Sequence, residues 1–279
     1  MTDTTPKAGT DPATPTEKVA VITGGNGTLG RAFTRALATA GYRVFILGRN
    51  EEKSAAAVAD FAAEGLTVEA VRCDVLDEAA VAAAVATILD RAGRIDVLVN
   101  GAGGNQPGAT VGPDSSIFEL GIEDFRKVND LNLLGTVIPS IACAKPMVEQ
   151  GSGCIVNISS MAALLPITRV VGYSAAKAAV DNFTRWLAVE LATKHGEGIR
   201  VNAIAPGFFI ADQNRRLLLE EDGSLTKRGQ TILSQTPVGR FGEPEELMST
   251  LLWLVDEQSS FVNGIVVPVD GGFSAFSGV

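Results

Sequence analysis

Seven short apolar runs punctuate the chain, at residues 19–23, 43–47, 67–72, 95–99, 154–158, 199–204 and 265–269. Most are apolar nearly throughout rather than alternating with polar residues. That pattern suits strands buried on both faces, as in a parallel sheet. Between the runs the spacing becomes helical. Phe33, Leu37 and Ala40 mark one stripe, closed by Gly41, and Ala176, Val180, Phe183, Leu187 and Leu191 mark another. Further helices are predicted over about 51–64, over about 122–149 with a bend at Pro139, and near 244–256. Strand and helix alternate without starting a second core. The prediction is α/β: one doubly wound parallel sheet flanked by helices, of Rossmann type, over residues 17–279.

Two stretches depart from this rhythm. Residues 1–16, rich in Thr, Pro, Asp and Ala without periodicity, read as a disordered tail. Residues 208–240 are polar and carry Asn214, Arg215, Arg216, Lys227, Arg228 and Arg240. An insertion at the C-terminal edge of the strands suggests a lid over a pocket. The long Gly/Pro loop at 104–121 falls at the same edge.

Composition narrows the function classes. The 279 residues are 46% hydrophobic and 20% charged, with a net charge of −9. So acidic a chain argues against a broad nucleic-acid footprint. No apolar run reaches the length of a membrane span and no signal-peptide core is visible, so no membrane role is expected. Cys73, Cys143 and Cys154 are far apart and odd in number, which reads as reduced thiols in a cytoplasm. The single histidine, His195, reads as part of a helix C-terminal turn, and no metal site is expected.

The first strand runs into Gly24-Gly25-Asn26-Gly27-Thr28-Leu29-Gly30 and then a helix. Strand, glycine turn and helix together present backbone N–H groups and a positive helix end to a diphosphate. The second strand ends at Gly48-Arg49, where an NAD site would place an acid. A cation there suits a 2′-phosphate and points toward NADP; alternatively Arg49 is a solvated residue before a helix. Asp74, after the third strand, is placed either to meet an adenine amino group or to cap a turn. Small residues at Asn100-Gly101-Ala102-Gly103 would let a flat cofactor lie on the backbone. Asn132, among Leu131, Leu133 and Leu134, is either functional or a surface asparagine.

Tyr173 and Lys177 stand four apart on a predicted helix, which puts them on one face with Cβ atoms roughly 5–6 Å apart. A cation beside a phenol favours the phenolate and draws its pKa toward neutrality. Ser160 follows the run at 154–158 and would be delivered at a strand's C-terminal end, where open parallel sheets bind ligands. A hydroxyl, a phenol and a cation could then meet around one carbonyl. Chance pairing of a Tyr with a Lys four residues on is the alternative.

TGGNGTLG at 23–30, CDV at 73–75, NGAG at 100–103, Asn132, Ser160, YSAAK at 173–177 and APG at 205–207 share an order and spacing that resembles the short-chain dehydrogenase/reductase family. Thr28 and Gly101 depart from that family's usual glycine and asparagine. The resemblance implies hydride transfer between a nicotinamide and a carbonyl or secondary alcohol of a small-molecule substrate, with NADP or NAD as cofactor. It makes Tyr173 the general acid or base. Lys177 would lower its pKa and hold the nicotinamide ribose, Ser160 would bind the substrate oxygen, and Asn132 would hold a water that links Lys177 to solvent. It implies a cofactor surface of Thr23, Gly24, Asn26, Thr28, Leu29, Gly30, Arg49, Asp74, Val75, Asn100, Gly101, Ala102, Gly103, Tyr173, Lys177, Pro206, Gly207, Phe208 and Phe209. It also implies a homo-oligomer, a dimer or tetramer. The strings at 100–110, 205–215 and 268–279 resemble more narrowly the D-mannonate oxidoreductase or fructuronate reductase branch. On that reading Asn105, Met161, Arg169, Asn214 and Arg215 are candidate substrate contacts, with Arg216 a further cation for a sugar carboxylate. Such catabolic enzymes often use NAD, against the sense of Arg49. A reductase of another ketone, such as a 3-oxoacyl thioester, and a cofactor-binding regulator without catalysis are the competing expectations.

Overall fold

A computed structural model of the chain describes residues 17–211 and 214–278. The predicted tail at 1–16 lies outside the described residues. In chain order the elements are β1 (Val19–Thr23), α1 (Thr28–Thr39), β2 (Arg43–Gly48), α2 (Glu51–Ala63), β3 (Val68–Arg72), α3 (Glu78–Ala92), β4 (Val97–Asn100), α4 (Ile122–Asn129), α5 (Gly135–Gln150), β5 (Gly153–Ile158), α6 (Met161–Leu164), α7 (Val171–His195), β6 (Ile199–Pro206), α8 (Arg215–Leu218), α9 (Lys227–Ser234), α10 (Met248–Val255) and β7 (Val266–Val269).

The strands form one sheet in the order β3-β2-β1-β4-β5-β6-β7, with every neighbouring pair parallel. The doubly wound prediction holds. Alternate strand residues feed two cores. Ala20, Ile22, Val44 and Ile46 pack with Phe33 and Leu37 of α1, Phe61 of α2 and Leu251 and Leu254 of α10. Val19, Val21, Phe45 and Leu47 pack on the opposite face with Ile88 of α3, Met147 of α5 and Leu187 of α7. Burial on both faces explains why the strands read as apolar runs. The three cysteines are buried and unpaired, and burial pushes their thiols up to about 11 for Cys73 and Cys154 and about 12 for Cys143.

The helix expected over 122–149 is interrupted, but not at Pro139. A widened π turn, Asp130–Leu134, separates α4 from α5, and α5 runs through both Pro139 and Pro146. The carbonyl that the Pro139 ring displaces is that of Gly135, four residues back, where α5 has only just begun. Ile122–Gln150 is long and apolar enough to cross a membrane, yet half of its apolar 18-residue window is buried inside the fold. The insertion at 208–240 has a small core, in which Leu218 and Ile232, with Phe241 just beyond the insertion, pack against Phe208 and Ile210.

Candidate active site

Strand order reverses between β1 and β4, and a cleft opens there at the strands' C-terminal ends, as the topology requires. The cleft, about 400 Å³, is lined by the glycine turn, the end of β2 and the loop after β4. Gly24, Asn26, Thr28, Leu29, Gly30, Arg49, Val75, Gly101, Ala102 and Gly103 line it, as expected from the sequence. Leu47, Lys53, Leu131 and Ala211 line it too, and nothing in the local pattern marks them as site residues.

The glycines are there because backbone approaches backbone. A Cβ on Gly30 would lie 2.1 Å from the Gly24 carbonyl oxygen, and one on Gly24, whose φ is +67°, would lie 3.0 Å from the Ala102 backbone. The first turn of α1 is thereby drawn against the cleft. Its N-cap is Gly27, which offers no side-chain acceptor, so the turn's N–H groups keep their capacity for an anion. These features fit a dinucleotide: a diphosphate on the helix end and a ring system along the small residues of β4. Arg49 and Lys53, at and just beyond the end of β2, line the same cleft. Asp74 is held beside Arg49 at 3.7 Å and accepts from the Leu76 N–H.

Thr23 accepts from the Ala102 N–H through Oγ1 at 3.1 Å, tying β1 to the loop after β4. Asn100 is fully inside, donating to Ser140 and to Asn157 at 2.8 Å each, and Asn157 passes the chain to Thr184. Pro206 is buried at the end of β6. Gly207 must be small, because a Cβ would lie 2.6 Å from the Asp270 Cα. The two phenylalanines that follow do not line the dinucleotide cleft. Phe209 is a core ring packed on Gly242, and Phe208 faces the neighbouring cavities and meets Phe273 edge-on at 5.1 Å.

Ser160, Tyr173 and Lys177 come together as the spacing predicts. Ser160 caps α6 and accepts from the Ala162 N–H, which leaves its own proton for the Tyr173 hydroxyl. Lys177 is 3% exposed, donates to the Ile158 carbonyl at 2.7 Å, and stands 5.6 Å from the Tyr173 ring centroid. The direction of the phenol's shift differs from the sequence argument. Burial pushes Tyr173 above its ordinary value, and the hydrogen bond with Ser160 only opposes this. Burial also pulls the Lys177 ammonium down to about 8, opposed by the Asp181 carboxylate one turn along α7. Asp181 is itself buried and bonded to the Ser159 hydroxyl. Sequence reading missed this acid, since a polar residue among small ones on a long helix carries no local mark.

Asn132 is not a surface residue. It is fully buried in the π turn, donates to the Val128 and Gly104 carbonyls at 2.7 Å each, and accepts from the Gly104 N–H. Both amide hydrogens are committed, so the side chain clips the loop after β4 to the helix. A Cβ on Gly103 would lie 2.6 Å from the Asn132 Oδ1 and 3.3 Å from the Lys177 Nζ, so clip, loop and ammonium share one crowded point.

Of the candidate substrate contacts, Arg169 lines a second cavity, of about 610 Å³, with Phe208, Lys227 and Arg228. Met161 is buried at the start of α6. Asn105 is exposed and donates to the Thr110 hydroxyl. Asn214 is taken up by its own turn, bonding the Ala211 N–H and the Phe209 carbonyl, and Arg215 is exposed on α8 away from the described cavities.

Residues 18–222 match the family model described as short chain dehydrogenase. The chain is 47% identical over 271 residues to the uncharacterized oxidoreductase UxuB of Bacillus subtilis, covering 94% of this chain and 96% of that one. It superimposes with a TM-score of 0.86, at 41% identity and covering 94% and 96% of the two chains, on a Haemophilus influenzae structure named as a candidate D-mannonate oxidoreductase with bound NAD. It superimposes with a TM-score of 0.82, at 32% identity and covering 92% and 95%, on a gluconate 5-dehydrogenase of Burkholderia cenocepacia in complex with NADP and tartrate. The chain belongs to the short-chain dehydrogenase/reductase family and is an NAD(P)-dependent oxidoreductase that acts on alcohol or ketone groups.

Proposed function

We propose that this oxidoreductase interconverts the ketone and secondary-alcohol forms of a sugar acid, of the fructuronate and mannonate type, with NADP(H) preferred. The observation that carries the reading is the cavity lined by Arg169, Lys227 and Arg228. Three cations around one recess of a chain with net charge −9 suit a carboxylate better than a neutral ketone. Sugar-acid oxidoreductases among the structural neighbours support the same class.

Hydride donation or acceptance is the chemistry the nicotinamide brings when bound. The chain supplies the proton. Tyr173 gives its hydroxyl proton to the carbonyl oxygen during reduction and takes it back during oxidation. A phenol held high by burial stays protonated at neutral pH, which suits reduction, whereas oxidation needs the phenolate, so the local charge of Lys177 matters more there. Ser160 bonds the same oxygen and fixes it against the tyrosine. Lys177 would also hold the nicotinamide ribose, and Asn132 keeps the loop after β4 in place beside it. Arg49 and Lys53 favour a 2′-phosphate, with Asp74 offsetting part of the Arg49 charge.

Ile141 on α5 and Trp186 and Val189 on α7 are more than half exposed. Apolar surface on two adjacent helices supports a homo-oligomer, a dimer or tetramer. Buried, reduced cysteines support a cytoplasmic setting.

The test follows reduced-nicotinamide absorbance with NADPH and NADH in parallel, against fructuronate, tagaturonate, simple ketoses and an acetoacetyl thioester. Turnover confined to hexuronates supports the reading. Turnover confined to the thioester or to a plain ketone overturns the sugar-acid assignment and leaves the Ser160, Tyr173 and Lys177 chemistry standing.

A further inference from the structure

The second cavity is walled in part by the loop that leads into α7. The chain between α6 and α7 supplies Thr168 and Arg169 to its wall, and Arg169 is four residues before Tyr173. The insertion supplies Lys227 and Arg228 from the start of α9, and Phe208 and Phe273 close the apolar side.

Arg169 is the sole non-glycine residue among those described with a positive φ, +78°. Its carbonyl is anchored by the Val111 N–H at 2.9 Å, so the loop after β4 and the loop before α7 hold this conformation together. Arg228 reaches the same loop. Its Nη1 and Nη2 lie 3.4 Å from the Thr168 hydroxyl and carbonyl, long contacts that leave most of its five N–H donors without a partner among the described residues. Among the described residues no carboxylate pairs with either guanidinium. Burial and the charge of Arg169 together hold the Arg228 guanidinium below its ordinary pKa. Two guanidinia that repel each other in a recess are relieved by an anion placed between them.

We infer that Arg169 and Arg228 form a carboxylate clasp that selects acidic over neutral ketones, one arm fixed on the loop before α7 and the other carried on the insertion. The inference rests on the sugar-acid reading for its natural ligand but not for its geometry. An acid gripped from both sides bridges the insertion to the loop that leads into Tyr173. Arg215 and Arg216, on the exposed face of α8, take no part.

The test compares wild type, Arg228→Gln, Arg228→Lys and Arg169→Asn, the last chosen because asparagine tolerates a positive φ. Two measurements are made on the full chain. One is the ratio of kcat/KM for a hexuronate over that for a neutral ketose of equal length. The other is calorimetric binding of D-glucuronate, a stable carboxylate probe. The clasp predicts that Arg228→Gln lowers the ratio about 100-fold, mostly through KM, and abolishes glucuronate binding. Arg228→Lys restores part of both, and Arg169→Asn resembles Arg228→Gln. Equal losses on acid and ketose, an unchanged ratio, or wild type that neither binds glucuronate nor turns over a hexuronate overturns it. Wild type that binds glucuronate through Arg228 but turns over no hexuronate overturns the sugar-acid function and leaves the clasp standing.

Discussion

The two halves of the sheet make their sites differently. Around β1 to β4 the cleft is built from backbone: glycines at contact distance, an open helix end, small residues where a ring would lie. Around β5 to β7 it is built from side chains on a long helix, on loops and on an insertion. A backbone site fails when a Cβ is added and is indifferent to most other changes. A side-chain site fails when one functional group is removed and tolerates packing changes. The first kind serves a ligand shared by many enzymes, and the second is where this chain can differ from its relatives.

The largest expected effect tests the separation directly. Tyr173→Phe removes one hydroxyl and leaves the ring in place. It should lower kcat by about 10²–10⁴-fold, the range for a lost general acid or base, with cofactor affinity nearly unchanged. Full activity in the variant would remove the phenol from the chemistry, and a matching loss of cofactor affinity would show that the halves are not separable. Gly30→Ala tests the other half. Its Cβ would collide with the Gly24 carbonyl oxygen, and the strain should cost about 1–3 kcal/mol of stability together with cofactor binding. Thermal unfolding with and without dinucleotide reads both effects, and a variant that binds the dinucleotide like wild type would sink the backbone-contact account.

The same contrast explains what could be read from the sequence. The glycine turn, the seven strands and the Ser160, Tyr173 and Lys177 group were legible because each depends on local spacing: strand into turn, or two residues four apart on one helix. Asn132 could be singled out as odd but not placed. Its burial depends on a π turn and on Gly104, far away in sequence. Proline is the local signal for a helix break and points to Pro139, whereas the widened turn lies a few residues earlier. Arg228 and Lys53 reach their cavities only through tertiary packing. Asn214, polar and near the pocket in sequence, proved to be bonded within its own turn.

Cofactor choice is a smaller effect at the edge of the backbone half. Arg49 is mostly exposed and shares its charge with Asp74, so a single substitution cannot remove all selectivity. Arg49→Asp should shift the NADPH-to-NADH ratio of kcat/KM by about tenfold toward NADH. An unchanged ratio would assign the phosphate to Lys53 or remove it from this end of the cleft.

The smallest effect concerns the alkaline limb of the pH profile. Lys177 is pulled down to about 8 by burial, and Asp181 holds it from falling further. The ammonium, not the amine, supports the phenolate, so oxidation should decline as pH rises through that region. The stability contribution has the opposite sign. The unfolded lysine keeps its proton to higher pH than the folded one, so the cost of burying the charge is fully present below about 8 and fades above it. Asp181→Asn removes the acid and keeps the shape that meets Ser159. The alkaline limb should then move to lower pH, with little change in kcat at pH 6.5–7, near the middle of the neutral range. A residue that merely packed α7 against β5 would alter stability or kcat at all pH values and leave the limb where it was. A limb that stays put in Asp181→Asn would therefore separate Asp181 from the chemistry, and one that moves would make Tyr173, Lys177 and Asp181 three linked groups along a single face of α7.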